Sequence, residues 1–147
     1  MGYRSTVAYS IRFIPVEQEG IDFVMAEERA KGSFFTFIAE AKSKEQTALC
    51  FSEEEAEYLK IDEKNLAIHF FADDVKWYES YAGVQCHECL MGLSREWADD
   101  GDCSSPYIGG AFVRIGEELE DMVQEVWGEG QYEWIEIHRS MSCDWMD

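Results

Sequence analysis

Residues 3–14 read YRSTVAYSIRFI, and this stretch decides what kind of fold the chain adopts. Apolar and polar side chains alternate along it. The apolar face carries Val7, Tyr9, Ile11 and Phe13, and the opposite face carries Thr6, Ala8, Ser10 and Arg12. A period of two is typical of a β-strand with one buried face. Pro15 ends the strand, because proline has no backbone N–H to donate to a sheet.

Outward from this strand, the pattern predicts three more strands and several helices. The further strands fall at 66–72, 107–115 and 132–141, and Gly109-Gly110 predicts a bulge in the second of them. Helical spacing and capping residues predict helices at 18–31, 34–42, 53–60, 77–97 and 117–127. Gly32 suits the end of the first helix and Ser33 the start of the second. Residues 99–106 predict a loop.

Four strands separated by helical segments predict one α+β domain over residues 1–147, with a single, mostly antiparallel sheet packed against helices. Its length and its 46% hydrophobic residues are sufficient for one core. The residues predicted to be buried are Val7, Ile11, Phe37, Ile68, Phe70, Leu90, Phe112 and Ile137.

The charge of the chain is strongly negative. Asp and Glu number 31 against 12 Lys and Arg, so the net charge is −19, and residues 96–147 contribute −12 of it. Such a protein repels nucleic-acid phosphates and is attracted to basic surfaces. Direct nucleic-acid binding is therefore not expected, whereas the basic groove of a nucleic-acid-binding protein is a suitable partner. Solubility alone is the competing explanation of the charge.

The acidic third of the chain also contains tryptophans. Aromatic residues among carboxylates are typical of an interface with an apolar centre and a charged rim. The predicted partner-binding residues are Glu117, Glu118, Glu120, Asp121, Glu125, Trp127 and Glu129. The alternative for Trp127 and Trp134 is burial in the core.

Cysteines and histidines supply two candidate sites. Cys86-His87-Glu88-Cys89 has the CxxC spacing of zinc ligands, with Cys50, Cys103 and Cys143 as candidates to complete it. There is no second CxxC, so we expect free thiols, with Cys89 on the apolar side of a helix, and neither a stoichiometric metal nor a cofactor. His69 and His138 each lie in a predicted strand, where they could share a cleft of an enzyme or small-ligand binder. The sequence has no catalytic motif to support that alternative.

Five cysteines, no signal-peptide pattern and no apolar stretch of transmembrane length predict a cytoplasmic protein that does not enter a membrane.

Several short blocks carry a resemblance to a known group of proteins. They are Met1-Gly2-Tyr3-Arg4-Ser5, residues 74–81 (DVKWYESY) with Val84-Gln85, residues 112–117 (FVRIGE) and Arg139-Ser140. In these blocks the chain resembles small uncharacterised acidic proteins of tailed bacteriophages that open with MGYRS. The resemblance transfers no functional residue. It implies synthesis in the cytoplasm of an infected bacterium, where small acidic phage proteins often inhibit host enzymes or host defence.

Charge, composition and this resemblance together predict a non-enzymatic interaction protein. It would inhibit a host or defence protein by occupying a basic, nucleic-acid-binding surface, as a mimic of nucleic acid.

Overall fold

The alternating stretch forms strand β1, Ser5–Ile14, at the centre of the main sheet. The structure is a computed structural model that describes residues 2–17, 20, 22–100, 107–118, 120–128, 135–137 and 141–143. The helices are α1 (Phe23–Ser43), α2 (Glu45–Ala48), a 3₁₀ turn (Leu49–Phe51), α3 (Glu53–Ala56) and α4 (Ala82–Asp100). The remaining strands are β2 (Leu59–Asp62), β3 (Ala67–Val75), β4 (Tyr107–Gly116), β5 (Met122–Gly128), β6 (Ile135–Ile137) and β7 (Met141–Cys143).

The predicted α+β fold with one antiparallel main sheet is confirmed. The sheet has five strands rather than four, in the order β2-β3-β1-β4-β5, and every neighbouring pair is antiparallel. β6 and β7 form a separate two-stranded hairpin. β6 lies within the strand predicted at 132–141, whereas β7 overlaps it only at Met141. Residues 132–134 and 138–140 of that prediction lie outside the described residues.

The main core lies on one face of the sheet, but Ala8, Ser10 and Val113 on the other face are buried too, so the expectation that β1 buries only one face is wrong. Val7, Tyr9, Ile11 and Phe13 are buried against α1 and α4, whose buried side chains belong to the same apolar cluster. Seven residues predicted to be buried are confirmed: Val7, Ile11, Phe37, Ile68, Phe70, Leu90 and Phe112. The side chain of Ile137 lies outside the described part of the chain.

The predicted helix break at Gly32 and Ser33 is wrong, because α1 continues through both residues. The helix begins after Asp22, whose side chain accepts a hydrogen bond of 2.9 Å from the backbone N–H of Met25. Its buried stripe continues across the glycine through Ala26, Ala30, Phe34, Phe37, Ile38 and Ala41. A glycine inside a helix costs about 1 kcal/mol relative to alanine. Burial of a continuous stripe outweighs that cost.

Two other predicted helices have different bounds. The segment 53–60 contains one turn of helix, and the chain then enters β2, which pairs with β3. The pairing with β3 gives these residues a backbone partner that the local sequence does not reveal. α4 begins five residues later than predicted and extends to Asp100, so Asp99 and Asp100 are helical rather than in a loop. Residues 101–106 lie outside the described residues.

The predicted helix at 117–127 is wrong, because this segment is a turn followed by β5. The turn is closed by hydrogen bonds from the backbone N–H of Gly116 to the carbonyl of Asp121 and from the N–H of Asp121 to the carbonyl of Glu118. β5 then pairs with β4 from Ile115↔Met122 to Gly109↔Gly128. The bulge predicted at Gly109-Gly110 is also wrong, since the pairing of β4 continues through both glycines on either side.

Candidate functional site

The predicted partner-binding carboxylates divide into two groups. Glu117, Glu118 and Glu120 are exposed around the β4–β5 turn. Asp121 is instead half-buried and paired within the molecule: Arg114 donates to its two oxygens at 2.7 and 3.1 Å, and the hydroxyl of Tyr3 donates to it as well. The Arg114 guanidinium, assisted by Tyr3, lowers the pKa of Asp121 to about 2. Asp121 is therefore a structural residue of the turn.

Trp127 and Glu125 anchor β5 to α4. The indole N–H of Trp127 donates to the Ser94 hydroxyl at 2.9 Å, and the Arg95 guanidinium lies 4.3 Å from the centre of its ring. Arg95 also pairs with Glu125 at 2.5 Å. The indole lies against Gly110, where a β-carbon would come within 2.2 Å of it. Trp127 thus packs within the fold.

The outer surface of this hairpin combines acid with apolar side chains. β5 is at the edge of the main sheet among the described strands, and Met122 and Val126 on it are 50% and 51% exposed. The exposed glutamates of the turn lie next to the Met122 end of the strand. Glu129 lies outside the described residues. We call the exposed residues of this surface, Glu117, Glu118, Glu120, Met122 and Val126, the acidic hairpin surface.

A second polar arrangement lies in the core and joins residues that are far apart in the sequence. His87 on α4 is fully buried, with Nδ1 2.5 Å from the Tyr9 hydroxyl and Nε2 3.0 Å from a carboxylate oxygen of Glu55. Burial lowers the pKa of His87 against the opposing effect of Glu55, and burial raises the pKa of Tyr9. The neutral forms fit this geometry, with Tyr9 donating to Nδ1 and Nε2–H donating to Glu55.

A cavity of about 250 Å³ opens beside this histidine. Its walls are mostly apolar or aromatic, and its polar groups include the Glu55 carboxylate, the Lys76 side chain and the His87 ring. The aromatic residues of the wall are Tyr58, Phe70, Trp77 and Tyr81. This combination of an apolar wall with few polar groups is typical of small-ligand pockets.

Two cysteines lie against the same histidine. The sulfur atoms of Cys50 and Cys86 and a ring nitrogen of His87 all lie within 4.8 Å of one another, and all three residues are buried. A hydrogen bond between the thiols raises the pKa of Cys50 and lowers that of Cys86. Cys89 is exposed, so the prediction that it lies on the apolar side of its helix is wrong. Cys86 takes that position because it shares a helix face with Leu90 and Leu93, at spacings of four and seven residues.

The histidines proposed to share a cleft are not brought together by the described residues. His69 is buried on β3, 2.9 Å from the Ser10 hydroxyl and 3.8 Å from a carboxylate oxygen of Asp62. His138 lies outside the described residues. His69 therefore occupies the position of a buried histidine with polar neighbours.

The buried state of His69 predicts a pH dependence of stability. Burial lowers its pKa to about 4, despite Asp62 and with a further lowering by Lys60 and Arg12. In the unfolded chain its pKa is about 6.5, so acid protonates the unfolded state first and stability falls as the pH drops from there towards 4. Between pH 7 and pH 5, we expect the free energy of unfolding to fall by about 2 kcal/mol more in the wild type than in His69→Gln. Urea unfolding at both pH values measures this difference, and equal losses would contradict it.

Three of the blocks that carry the resemblance, residues 1–5, 74–81 and 112–117, meet at one end of the main sheet, and Arg139-Ser140 lies outside the described residues. The backbone N–H of Tyr3 donates to the Tyr78 hydroxyl at 2.7 Å. Arg4 donates to the Asp74 carbonyl at 3.0 Å from its side chain and to Glu117 at 2.9 Å from its backbone. These contacts fix the N-terminal segment to the β4–β5 turn.

Comparison with known proteins adds no family to this description. No protein-family model matches the chain, and neither curated proteins nor solved structures yield a match. Within the described residues, no helix has the length and apolar composition needed to cross a membrane.

Proposed function

We propose that this protein is a non-enzymatic interaction protein whose acidic hairpin surface binds a basic surface of another protein. The partner we propose is a host or defence protein of an infected bacterial cell, bound at its nucleic-acid-binding face. The observation that carries the proposal is the combination of exposed glutamates with exposed apolar side chains on one edge of the sheet. A centre of apolar side chains within a charged rim is the usual anatomy of a specific interface.

The two kinds of residue would contribute differently. Exposed carboxylates contribute about 0–1 kcal/mol each to a pair with a basic group, so they act together on the rate of encounter. Met122 and Val126 would supply apolar area that is removed from water once the partner is in place. β5 would also present the edge of the sheet to the partner, since edge strands are common sites of association between chains.

Reversing the exposed charges of the turn tests the proposal. We expect Glu117→Lys, Glu118→Lys and Glu120→Lys together to slow association with the captured partner by roughly 10-fold or more at low salt, because electrostatic steering is lost. The partner is first captured from bacterial lysate on the immobilised wild type and identified by mass spectrometry. Association rates are then measured across a range of salt concentrations. Asp121 is left intact, because its pairing with Arg114 supports the fold. Glu117 accepts a hydrogen bond from the backbone N–H of Arg4, so rates are compared only once thermal melting shows that the triple variant is folded like the wild type.

The matched control reverses Glu53, Glu54 and Glu57 on and just after α3. These three are also exposed, and each triple changes the net charge from −19 to −13. Glu55 is left out of the control because it contacts His87. Equal slowing by both triples would show an effect of net charge without a site. If neither triple slows association and binding is insensitive to salt, the proposal is wrong, and the cavity beside His87 becomes the surface to test for a small ligand.

A further inference from the structure

Two separate segments bring metal-ligating side chains to one buried point. Cys50 comes from the 3₁₀ turn, and Cys86 with His87 comes from the first turns of α4. Their ligand atoms lie within 4.8 Å of one another. Ligands of a tetrahedral zinc ion are about 3.5–3.8 Å apart, because Zn–S and Zn–N bonds are about 2.3 and 2.0 Å. Only a small contraction separates the cluster from that geometry.

The chemistry of these donors selects a particular class of ion. Two thiolates and an imidazole are ligands for thiophilic cations such as Zn²⁺, whereas Mg²⁺ and Ca²⁺ prefer oxygen. Two thiolates also balance the charge of Zn²⁺, which suits a site from which water is largely excluded. Buried cysteines often serve only as small apolar side chains. That role does not require a second thiol and an imidazole within reach.

The surroundings of His87 have the features of a metal-ligand environment. Histidine ligands commonly use the second ring nitrogen to bond a carboxylate, which fixes the orientation of the ring. Here Glu55 bonds Nε2 at 3.0 Å and Tyr9 lies 2.5 Å from Nδ1. The nitrogen that takes the ion would exchange its present hydrogen bond for the metal, and the partner of the other nitrogen would hold the ring in place. Of the three residues of the cluster, only His87 lines the cavity, and the two cysteines lie behind its wall.

We propose that Cys50, Cys86 and His87 form a buried zinc site beside the cavity. The proposal departs from the sequence-based expectation of no stoichiometric metal, because the sequence cannot show that Cys50 lies beside Cys86. It also differs from a CxxC site, because Cys89 is exposed and is not part of the cluster. The site is independent of the acidic hairpin surface.

Metal titration of the full-length protein tests this site. The protein is reduced with a non-thiol reductant, stripped with a chelator and titrated with Zn²⁺ against a chromophoric chelator. Co²⁺ is added separately, because thiolate ligation gives it strong near-ultraviolet absorption. We expect one Zn²⁺ per chain and a Co²⁺ spectrum of thiolate ligation. Cys50→Ser and Cys86→Ser should each weaken Zn²⁺ binding by more than about 100-fold. Even replacing a residue that only hydrogen-bonds a metal ligand typically lowers metal affinity about 10- to 100-fold.

Cys89→Ser is the matched control and should bind Zn²⁺ like the wild type. Circular dichroism establishes that each variant is folded. If the Cys50 and Cys86 variants do not fold, the wild type and Cys89→Ser are compared instead, and both should show the Co²⁺ absorption expected for two thiolate ligands. The proposal is overturned if the wild type binds no Zn²⁺, if Cys89→Ser abolishes binding, or if binding persists unchanged in folded Cys50→Ser.

Discussion

Replacing Phe70 by alanine is expected to lower the free energy of unfolding by about 3–5 kcal/mol. Phe70 is 2% exposed and lies on the face of the sheet that carries the main core. Its ring stacks on Tyr9 at 5.1 Å between ring centres and lies 4.3 Å from the ring of His87. Removing it leaves a cavity between the sheet and α4 that these neighbours fill only in part. For a domain whose total stability is about 5–15 kcal/mol, this is a large fraction.

Urea unfolding and thermal melting measure this loss. Phe35→Ala is the matched control, since Phe35 on α1 is 39% exposed and loses less contact. We expect the control to cost about 1 kcal/mol or less. Equal effects of the two substitutions, or unchanged melting of Phe70→Ala, would contradict the position of β3 in the core.

Replacing Gly110 by valine is expected to destabilise the protein by about 2–4 kcal/mol, because it displaces Trp127. Even the β-carbon alone, without the two methyl groups of valine, would lie 2.2 Å from the indole. Moving the ring breaks its hydrogen bond to Ser94 and its contact with the Arg95 guanidinium, two of the contacts that hold β5 to α4. Tryptophan fluorescence should shift towards that of exposed indole, and denaturant unfolding reports the loss of stability.

Gly32→Ala and Gly92→Ala are the controls for this substitution. Both glycines are inside helices, and a β-carbon at either would meet no atom within 4 Å. Alanine in a helix is favoured over glycine, so each control should raise stability by about 0.5–1 kcal/mol. If Gly110→Val is as well tolerated as these controls, then Trp127 does not pack as described.

The sequence predicted well those strands whose pattern is set by the burial of apolar side chains. β1, β3 and β4 lie where alternation or a dense apolar run placed them, and most of the predicted core is buried. The errors fall where local signals allow two structures. Met122, Val123, Val126 and Trp127 fit a helical stripe, yet the edge of β4 offers them a backbone partner and they form a strand.

The candidate sites, too, were predicted from the sequence only in part. The acidic residues of the β4–β5 turn were identified from composition, but only the fold separates exposed Glu117 and Glu118 from Asp121, which bonds Arg114. Similarly, the CxxC spacing indicated Cys86 and Cys89 as a candidate pair of zinc ligands. The structure instead places Cys86 with Cys50, which is 36 residues away along the chain.

The sequence by itself determined the class of fold, the central strand, the identity of the core and the negative charge. Each of these depends on composition or on a period within one segment, and a strand or helix with one apolar side must bury that side. Only the tertiary structure decided which strand borders β4, which carboxylates stay exposed, and that Tyr9, Cys50, Glu55 and His87 meet. Contacts between distant segments depend on how elements pack, and no local pattern records which side chains that packing brings together.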